Sequence, residues 1–233
     1  MTSRALLRLA LRAGSTSFVQ SSALAVALLA ARIAWTREAV YGFLLWNLLL
    51  AWVPYACAVA LRTLHQRGAR PALLLPLLLV WLGFLPNAPY LVTDFIHLRW
   101  RDGAPLWFDA AMLASYAWAG VGLGAASLRI CARIVRARRG PWTAAAFVAL
   151  SGLATGFGIY LGRFVRLNTW DLATRPLTVL EQSLSPLVHP LEQPRAWVVT
   201  LTFGLFFLAA YGVRGEALAA DAMRVRASSR TSS

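Results

Sequence analysis

The chain has 233 residues, of which 59% are hydrophobic and 14% are charged, and its net charge is +14. An ordinary soluble domain is roughly 45–50% apolar and roughly 25% charged. The composition therefore excludes a water-soluble enzyme of the usual kind, because so few polar residues cannot cover its surface, and it excludes a disordered chain. It indicates an all-α fold, a polytopic membrane helix bundle.

The basic residues of the chain are all arginines, and they lie between apolar runs. Nucleic-acid binding needs basic charge gathered on one hydrated face. The charge pattern therefore favours membrane loops that contact membrane lipids and predicts no nucleic-acid partner. Cys57 and Cys131 lie in or beside apolar runs, without metal-ligand spacing, and we expect buried free thiols.

Six apolar stretches are long enough to cross a bilayer, which needs roughly 20 residues per helix. Backbone amides inside hydrocarbon must be paired within their own segment, so we expect helices. The expected spans are 15–31, 39–61, 71–90, 106–128, 142–162 and 196–213. Residues 1–213 then form a single transmembrane domain.

The two ends of the chain need separate interpretation. The first apolar stretch follows three arginines, as a secretory signal would, but no small-x-small cleavage site with a long soluble domain follows it. We therefore expect an uncleaved first helix. Residues 214–233 are basic and are expected to form a disordered cytoplasmic tail.

The distribution of arginines predicts the orientation of the spans. Fifteen arginines lie in segments that are inside if the N-terminus is inside, and eight lie in the opposite loops: Arg32, Arg37, Arg99, Arg101, Arg163, Arg166, Arg175 and Arg195. The bias predicts that both termini are inside, and we expect the bacterial inner (plasma) membrane.

Two further patterns concern packing. Glycines four residues apart, at 120 and 124 and at 152 and 156, let helix backbones approach closely. Before the sixth span, leucines recur at steps of three or four, which predicts a short helix in the outer interface that is broken at Pro186 or Pro190. These leucines are Leu177, Leu180, Leu184, Leu187 and Leu191.

Polar residues other than arginine collect at the outer ends of three spans. Pro86 and Pro89 interrupt the third span, and the polar residues after Pro86 share one helical face. A second group follows the fifth span, and Asp109 begins the fourth. Together they predict an outward-facing polar pocket formed by Asn87, Tyr90, Asp94, His97, Asp109, Arg163, Arg166, Asn168 and Asp171.

The two motifs resemble those of a bacterial membrane family, domain of unknown function 1361. The resemblance rests on Phe84-Leu-Pro-Asn-Ala-Pro-Tyr90 with Thr93-Asp94-x-x-His97, and on Gly158-x-Tyr-Leu-Gly-Arg163 with Arg166-x-Asn-x-Trp-Asp171. It implies a multi-pass membrane protein and supplies no catalytic residues.

Several functions fit the predicted pocket. Guanidinium groups bind the oxygens of an anionic headgroup or a lipid-linked ligand. Alternatively, Arg163 or Arg166 pairs with Asp94, Asp109 or Asp171 as a structural pin, in a non-catalytic assembly or regulatory partner of another membrane protein. A small transporter is the third alternative, although the sequence shows no internal repeat.

Chemistry at the pocket stays open at this point. Asp94 and His97, three residues apart, have the spacing of a general acid–base pair, but no serine or cysteine nucleophile lies beside them. The same two residues are the candidates for a divalent metal site. Because secure sites usually have two or more nitrogen or sulfur ligands, we expect no metal or other cofactor.

Overall fold

The computed structural model describes residues 3–101, 103–167 and 174–231. The described chain is helical and contains no strand. Its α-helices are α1 (Ser3–Thr36), α2 (Phe43–Gln66), α3 (Pro71–Phe84), α4 (Asn87–Tyr90), α5 (Leu106–Arg139), α6 (Pro141–Tyr160), α7 (Pro176–Val188) and α8 (Pro194–Thr231). A 3₁₀ helix (Leu91–His97) follows α4, and a π segment (Leu161–Val165) follows α6.

Six helices of the described chain are long and apolar enough to cross a membrane. They comprise Thr16–Thr36, Phe43–Gln66, Pro71–His97, Leu106–Arg139, Pro141–Val165 and Pro194–Val213. These spans confirm the predicted fold class and the multi-pass architecture.

The helix bounds differ from the predicted ones where local chemistry overrides hydropathy. The second helix begins at Phe43 rather than at residue 39, because a turn joins the Gly42 amide to the Ala39 carbonyl at 2.9 Å. The fourth continues through the predicted arginine loop to Arg139, since helix-forming residues run up to Gly140, whose φ of 88° ends it. Helix α8 likewise continues to Thr231 through the tail that we expected to be disordered, which is rich in alanine and arginine.

The chain forms two compact units, residues 1–127 and 128–233. In the first unit, α2 packs against α3, α4 and the 3₁₀ helix. Its buried residues include Leu44 and Leu48 of α2, Trp81 of α3 and Met112 of α5. A Cβ added to Gly120 would collide with the Ala88 carbonyl, so glycine permits α5 to approach α4.

In the second unit, α6 packs along α8. The predicted close approach is confirmed here: a Cβ on Gly156 would collide with the Thr200 carbonyl, and one on Gly152 would lie 2.5 Å from the Leu208 side chain. The predicted leucine-rich helix is also present as α7, which includes Pro186 and ends at Val188, before Pro190.

Candidate functional site

A buried ion pair joins the first and fourth membrane spans in the first unit. The Arg32 guanidinium donates from Nε to Oδ1 of Asp109 at 2.7 Å and from Nη2 to Oδ2 at 3.3 Å. The two side chains are 0% and 1% exposed. Arg32 lies in the last turns of α1, whereas the sequence placed it in an outer loop. Both oxygens of the Asp109 carboxylate therefore accept bonds from one guanidinium, the strongest geometry for such a pair.

Tyr41 connects this ion pair to the end of the third span. The Arg32 guanidinium carbon lies 4.8 Å from the centre of the Tyr41 ring, and the Tyr41 hydroxyl donates to the His97 carbonyl at 3.1 Å. Burial, and then the nearby Asp109 carboxylate, raises the pKa of the Tyr41 phenol above its ordinary value of 10.0. The hydroxyl thus remains a neutral donor that fixes the loop after α1 to the 3₁₀ helix.

Asp94 is the second fully buried carboxylate of this unit. It lies in the 3₁₀ helix, and its Oδ2 accepts a bond of 3.0 Å from Nδ2 of Asn47 in α2. In the structural pin considered from the sequence, Arg163 or Arg166 is a partner of Asp94. One partner of Asp94 is the neutral amide of Asn47, one turn inside the start of α2.

The two prolines explain why the third span ends as it does. Pro89 has no amide hydrogen and cannot donate to the Leu85 carbonyl, four residues earlier. That carbonyl accepts a bond of 3.2 Å from the Ala88 amide instead. In addition, Asn87 Nδ2 donates to the Phe84 carbonyl at 3.1 Å. Asn87 therefore completes the hydrogen bonding of α3. The chain then tightens into a 3₁₀ helix, in which residues three apart lie on one side.

The remaining predicted residues of this motif are half-buried. The Tyr90 carbonyl accepts a bond of 2.6 Å from the Thr93 hydroxyl. The His97 ring lies edge-on to Phe43, with ring centres 5.0 Å apart. No group of three or more histidine, cysteine, aspartate or glutamate side chains lies close enough to hold a metal ion among the described residues.

Arg101 adds a second cation beside Tyr41. Its guanidinium carbon lies 5.6 Å from the ring centre, and its Nε is buried with no hydrogen-bond partner among the residues that the structure describes. Arg32, Tyr41, Asn47 and Arg101 were not among the pocket residues predicted from the sequence. One signal was present in the sequence: an arginine at the end of an apolar helix needs a buried acid, and Asp109 lies in the first turn of another span.

The second unit contains the other two described pocket residues, Arg163 and Arg166. Arg163 lies in the π segment that ends the fifth span, and Arg166 follows it with a left-handed backbone, at φ 66°. Short π segments are rare and frequently occur at functional sites, and left-handed backbone is uncommon for residues other than glycine. The Arg166 side chain is exposed.

A third arginine reaches the same segment from the next span. The Arg195 guanidinium carbon lies 4.2 Å from the centre of the Phe164 ring, and Phe164 stacks on Tyr160 at 6.2 Å. The Tyr160 hydroxyl lies 3.3 Å from Gln193 Oε1, just before α8. These contacts hold the start of α8 against the π segment, so that the Arg195 guanidinium lies beside the segment that contains Arg163.

The nine predicted pocket residues thus have different outcomes. Asn87, Tyr90, Asp94 and His97 lie on one continuous segment, and Asp109 lies in the same unit. Arg163 and Arg166 lie in the other unit. Asn168 and Asp171 fall outside the described residues. A pocket common to all nine stays a prediction.

The family comparison covers most of the chain, including both motifs. Residues 46–210 match the model of the family described as Protein of unknown function (DUF1361). No curated protein and no solved structure matches the chain. The matched region begins in the helix of Asn47 and includes Asp94, Asp109, Arg163 and Arg195. The chain is a multi-pass membrane protein that belongs to the DUF1361 family.

Proposed function

We propose that this membrane protein binds an anionic ligand, a lipid headgroup in particular, through Arg163, Arg166 and Arg195. The observation that supports the proposal is the position of Arg195 over Phe164, which brings a third arginine to the segment that contains the other two. Guanidinium groups bind phosphate oxygens in a bidentate manner, and an aromatic ring fixes the plane of the guanidinium beside it.

Charge in the second unit is consistent with an anionic ligand. Two acidic residues lie between the π segment and α8 in the described part of the chain, Glu181 and Glu192, and both are exposed. The Glu192 carboxylate lies 3.8 Å from the His189 ring nitrogen, an exposed contact of little energetic value. Glu181 lies on α7. From the π segment to the first turn of α8, the described residues thus include more arginines than acidic residues, and such an excess attracts anionic headgroups.

The carboxylates of the first unit have a structural role in this proposal. Asp109 is bonded to Arg32 and Asp94 to Asn47, so each carboxylate joins two membrane spans. Their bonds favour the structural pin as the second candidate function for the acidic half of the predicted pocket.

Ligand binding is tested by thermal unfolding of the full chain in detergent. We expect short-chain phosphatidic acid to raise the unfolding temperature, because a ligand that binds only the folded state stabilises it, and short-chain phosphatidylcholine to leave it unchanged. The Arg166→Gln, Arg195→Gln double variant is expected to lose the shift. Arg136→Gln is the matched control, since α6 separates Arg136 from the π segment by about 30 Å.

The comparison of variants separates binding from a structural role. If the double variant keeps the full shift with phosphatidic acid, the proposal is wrong. If inorganic phosphate gives the same shift as phosphatidic acid, the site recognises the phosphate alone rather than a lipid. Arg166→Lys with Arg195→Lys keeps the charge and removes bidentate bonding, so we expect a smaller shift in a variant that folds.

We further propose the orientation and location expected from the sequence, with both termini inside a bacterial plasma membrane. The support is the excess of arginines in the segments on that side. Alkaline phosphatase fused after residue 175 should be active, and the same fusion after residue 140 should be inactive. The reverse pattern would contradict the proposal.

A further inference from the structure

Helix α7 connects two membrane spans. It follows the π segment at the end of α6 and precedes α8, which begins at Pro194. A connection between consecutive spans starts and ends at the same face of the bilayer, and only five residues separate α7 from α8. Helix α7 also packs on the π segment. It is therefore held close to the membrane boundary.

The exposed surface of α7 is apolar along one stripe. Leu177, Leu180, Leu184 and Val188 recur at steps of three and four residues and are all exposed, Leu177 by 79% and Val188 by 64%. The opposite side, with Val179 and Pro186, is buried. Two exposed polar residues lie on a flank between the two, Glu181 at the edge of the stripe and Thr178 farther from it. The stripe thus faces away from the unit to which α7 belongs.

Two observations favour lipid as the cover of the stripe. First, α8 begins five residues later and exposes Val198, Leu201 and Leu205, as a helix in contact with lipid does. The apolar surface of the span and that of α7 thus occur close together in the chain. Second, arginines flank α7, with Arg175 immediately before it and Arg195 in the first turn of α8, and both are exposed. Arginines beside an apolar helical face match the anionic headgroups above an acyl layer.

We propose that α7 lies in the plane of the membrane, with its leucine stripe inserted into the leaflet that α6 and α8 reach. An amphipathic helix of this type is buried about 5–10 Å into the boundary between headgroups and acyl chains. Thr178 then faces water, and Arg175 lies at the level of the headgroups. This inference does not depend on ligand binding at Arg166 and Arg195.

The test measures the membrane depth of single positions on α7. The full chain, with Cys57→Ala and Cys131→Ala, receives one cysteine at a time as Leu184→Cys, Leu177→Cys or Thr178→Cys. Each variant is labelled with bimane and reconstituted into vesicles of phosphatidylcholine and phosphatidylglycerol with brominated acyl chains. We expect the labels at 177 and 184 to lose most of their fluorescence, and the matched label at 178 to keep most of it.

Several outcomes would overturn the inference. Equal quenching at 178 and 184 would show that α7 has no fixed face toward lipid. Absence of quenching at both 177 and 184 would show that something else covers the stripe. If unlabelled Leu184→Cys then forms a disulfide-linked dimer, that cover is a second copy of this chain. Two positions on the stripe keep the test decisive if one variant fails to fold.

Discussion

Arg32 and Asp109 are separated by 77 residues, yet Nε of one lies 2.7 Å from Oδ1 of the other in a nearly inaccessible environment. Breaking a buried pair by removing one partner leaves an uncompensated charge and costs about 3–5 kcal/mol. We expect Arg32→Gln to lower the unfolding temperature markedly, and the Arg32→Gln, Asp109→Asn double variant to recover much of the loss. Arg37→Gln, an exposed arginine near the end of the same helix, is the control. Additive losses in the double variant would contradict a coupled pair.

Asp94 and Asn47 offer a second pair with a different chemistry. The amide nitrogen lies 3.0 Å from the carboxylate oxygen, and Asp94 is fully buried. Loss of one partner of a buried hydrogen bond costs about 1–3 kcal/mol, and more for a charged group. Thermal unfolding should therefore show a moderate loss for Asn47→Ala and a larger loss for Asp94→Ala. If Asp94→Ala unfolds at the temperature of the wild-type chain, Asp94 has no structural role.

The contact between α6 and α8 depends on Gly156, which has no side chain. A Cβ at residue 156 would overlap the Thr200 carbonyl, which belongs to rigid helix backbone, whereas a Cβ at Gly212 meets nothing within 4 Å. Gly156→Ala should destabilise the protein by about 1–3 kcal/mol through overpacking. Gly212→Ala, the matched control in α8, should be neutral or stabilising by about 0.5–1 kcal/mol. Equal unfolding temperatures for the two variants would contradict the close approach.

We expect Tyr41 to make the stability of the folded protein depend on pH in the alkaline range. Its pKa is raised by burial and by the Asp109 carboxylate, so the folded phenol stays protonated at a pH where the unfolded one ionises. The contribution of Tyr41 to the free energy of unfolding is complete below about pH 10 and is lost as the pH rises through the raised pKa of the folded state. Unfolding temperatures measured across this range should therefore fall more steeply for the wild type than for Tyr41→Phe. Parallel curves would show that Tyr41 does not contribute.

Tyr41→Phe has a second effect at neutral pH. Removing the hydroxyl leaves the His97 carbonyl without this donor, at a cost of about 1 kcal/mol. The unfolding temperature of the variant should therefore lie below that of the wild type at neutral pH and approach it at alkaline pH. Its absorbance on alkaline titration identifies the phenolate signal that belongs to residue 41.

The spans were predictable because hydropathy is a sum over neighbouring residues. Proline positions likewise predicted where the third span is interrupted. The pairing of Asp109 with Arg32 was not predictable in this way, since it depends on which helices lie side by side. The same limit applies to Asp94: the motif placed it in an outward-facing polar pocket, but the motif did not indicate its bond with Asn47 of α2.

Secondary-structure type was harder to predict at the ends of spans. The spacing of Asn87, Tyr90, Asp94 and His97 predicts an α-helical face, but the last seven residues of this segment form a 3₁₀ helix. No pattern in the sequence indicated the π segment or the left-handed Arg166. Hydrogen bonding at a helix end responds to a few local groups, so composition and periodicity contain little information about it.

The π segment also has a geometric consequence for every position that follows it. Such a segment is equivalent to one additional residue in an α-helix, and each residue of an α-helix corresponds to about 100° of rotation. Deleting a single residue between 161 and 165 would let this segment form ordinary α-helical hydrogen bonds. The deletion would also rotate Arg166 about the helix axis by about a quarter of a circle. The direction in which this guanidinium points is thus encoded by chain length as much as by residue identity.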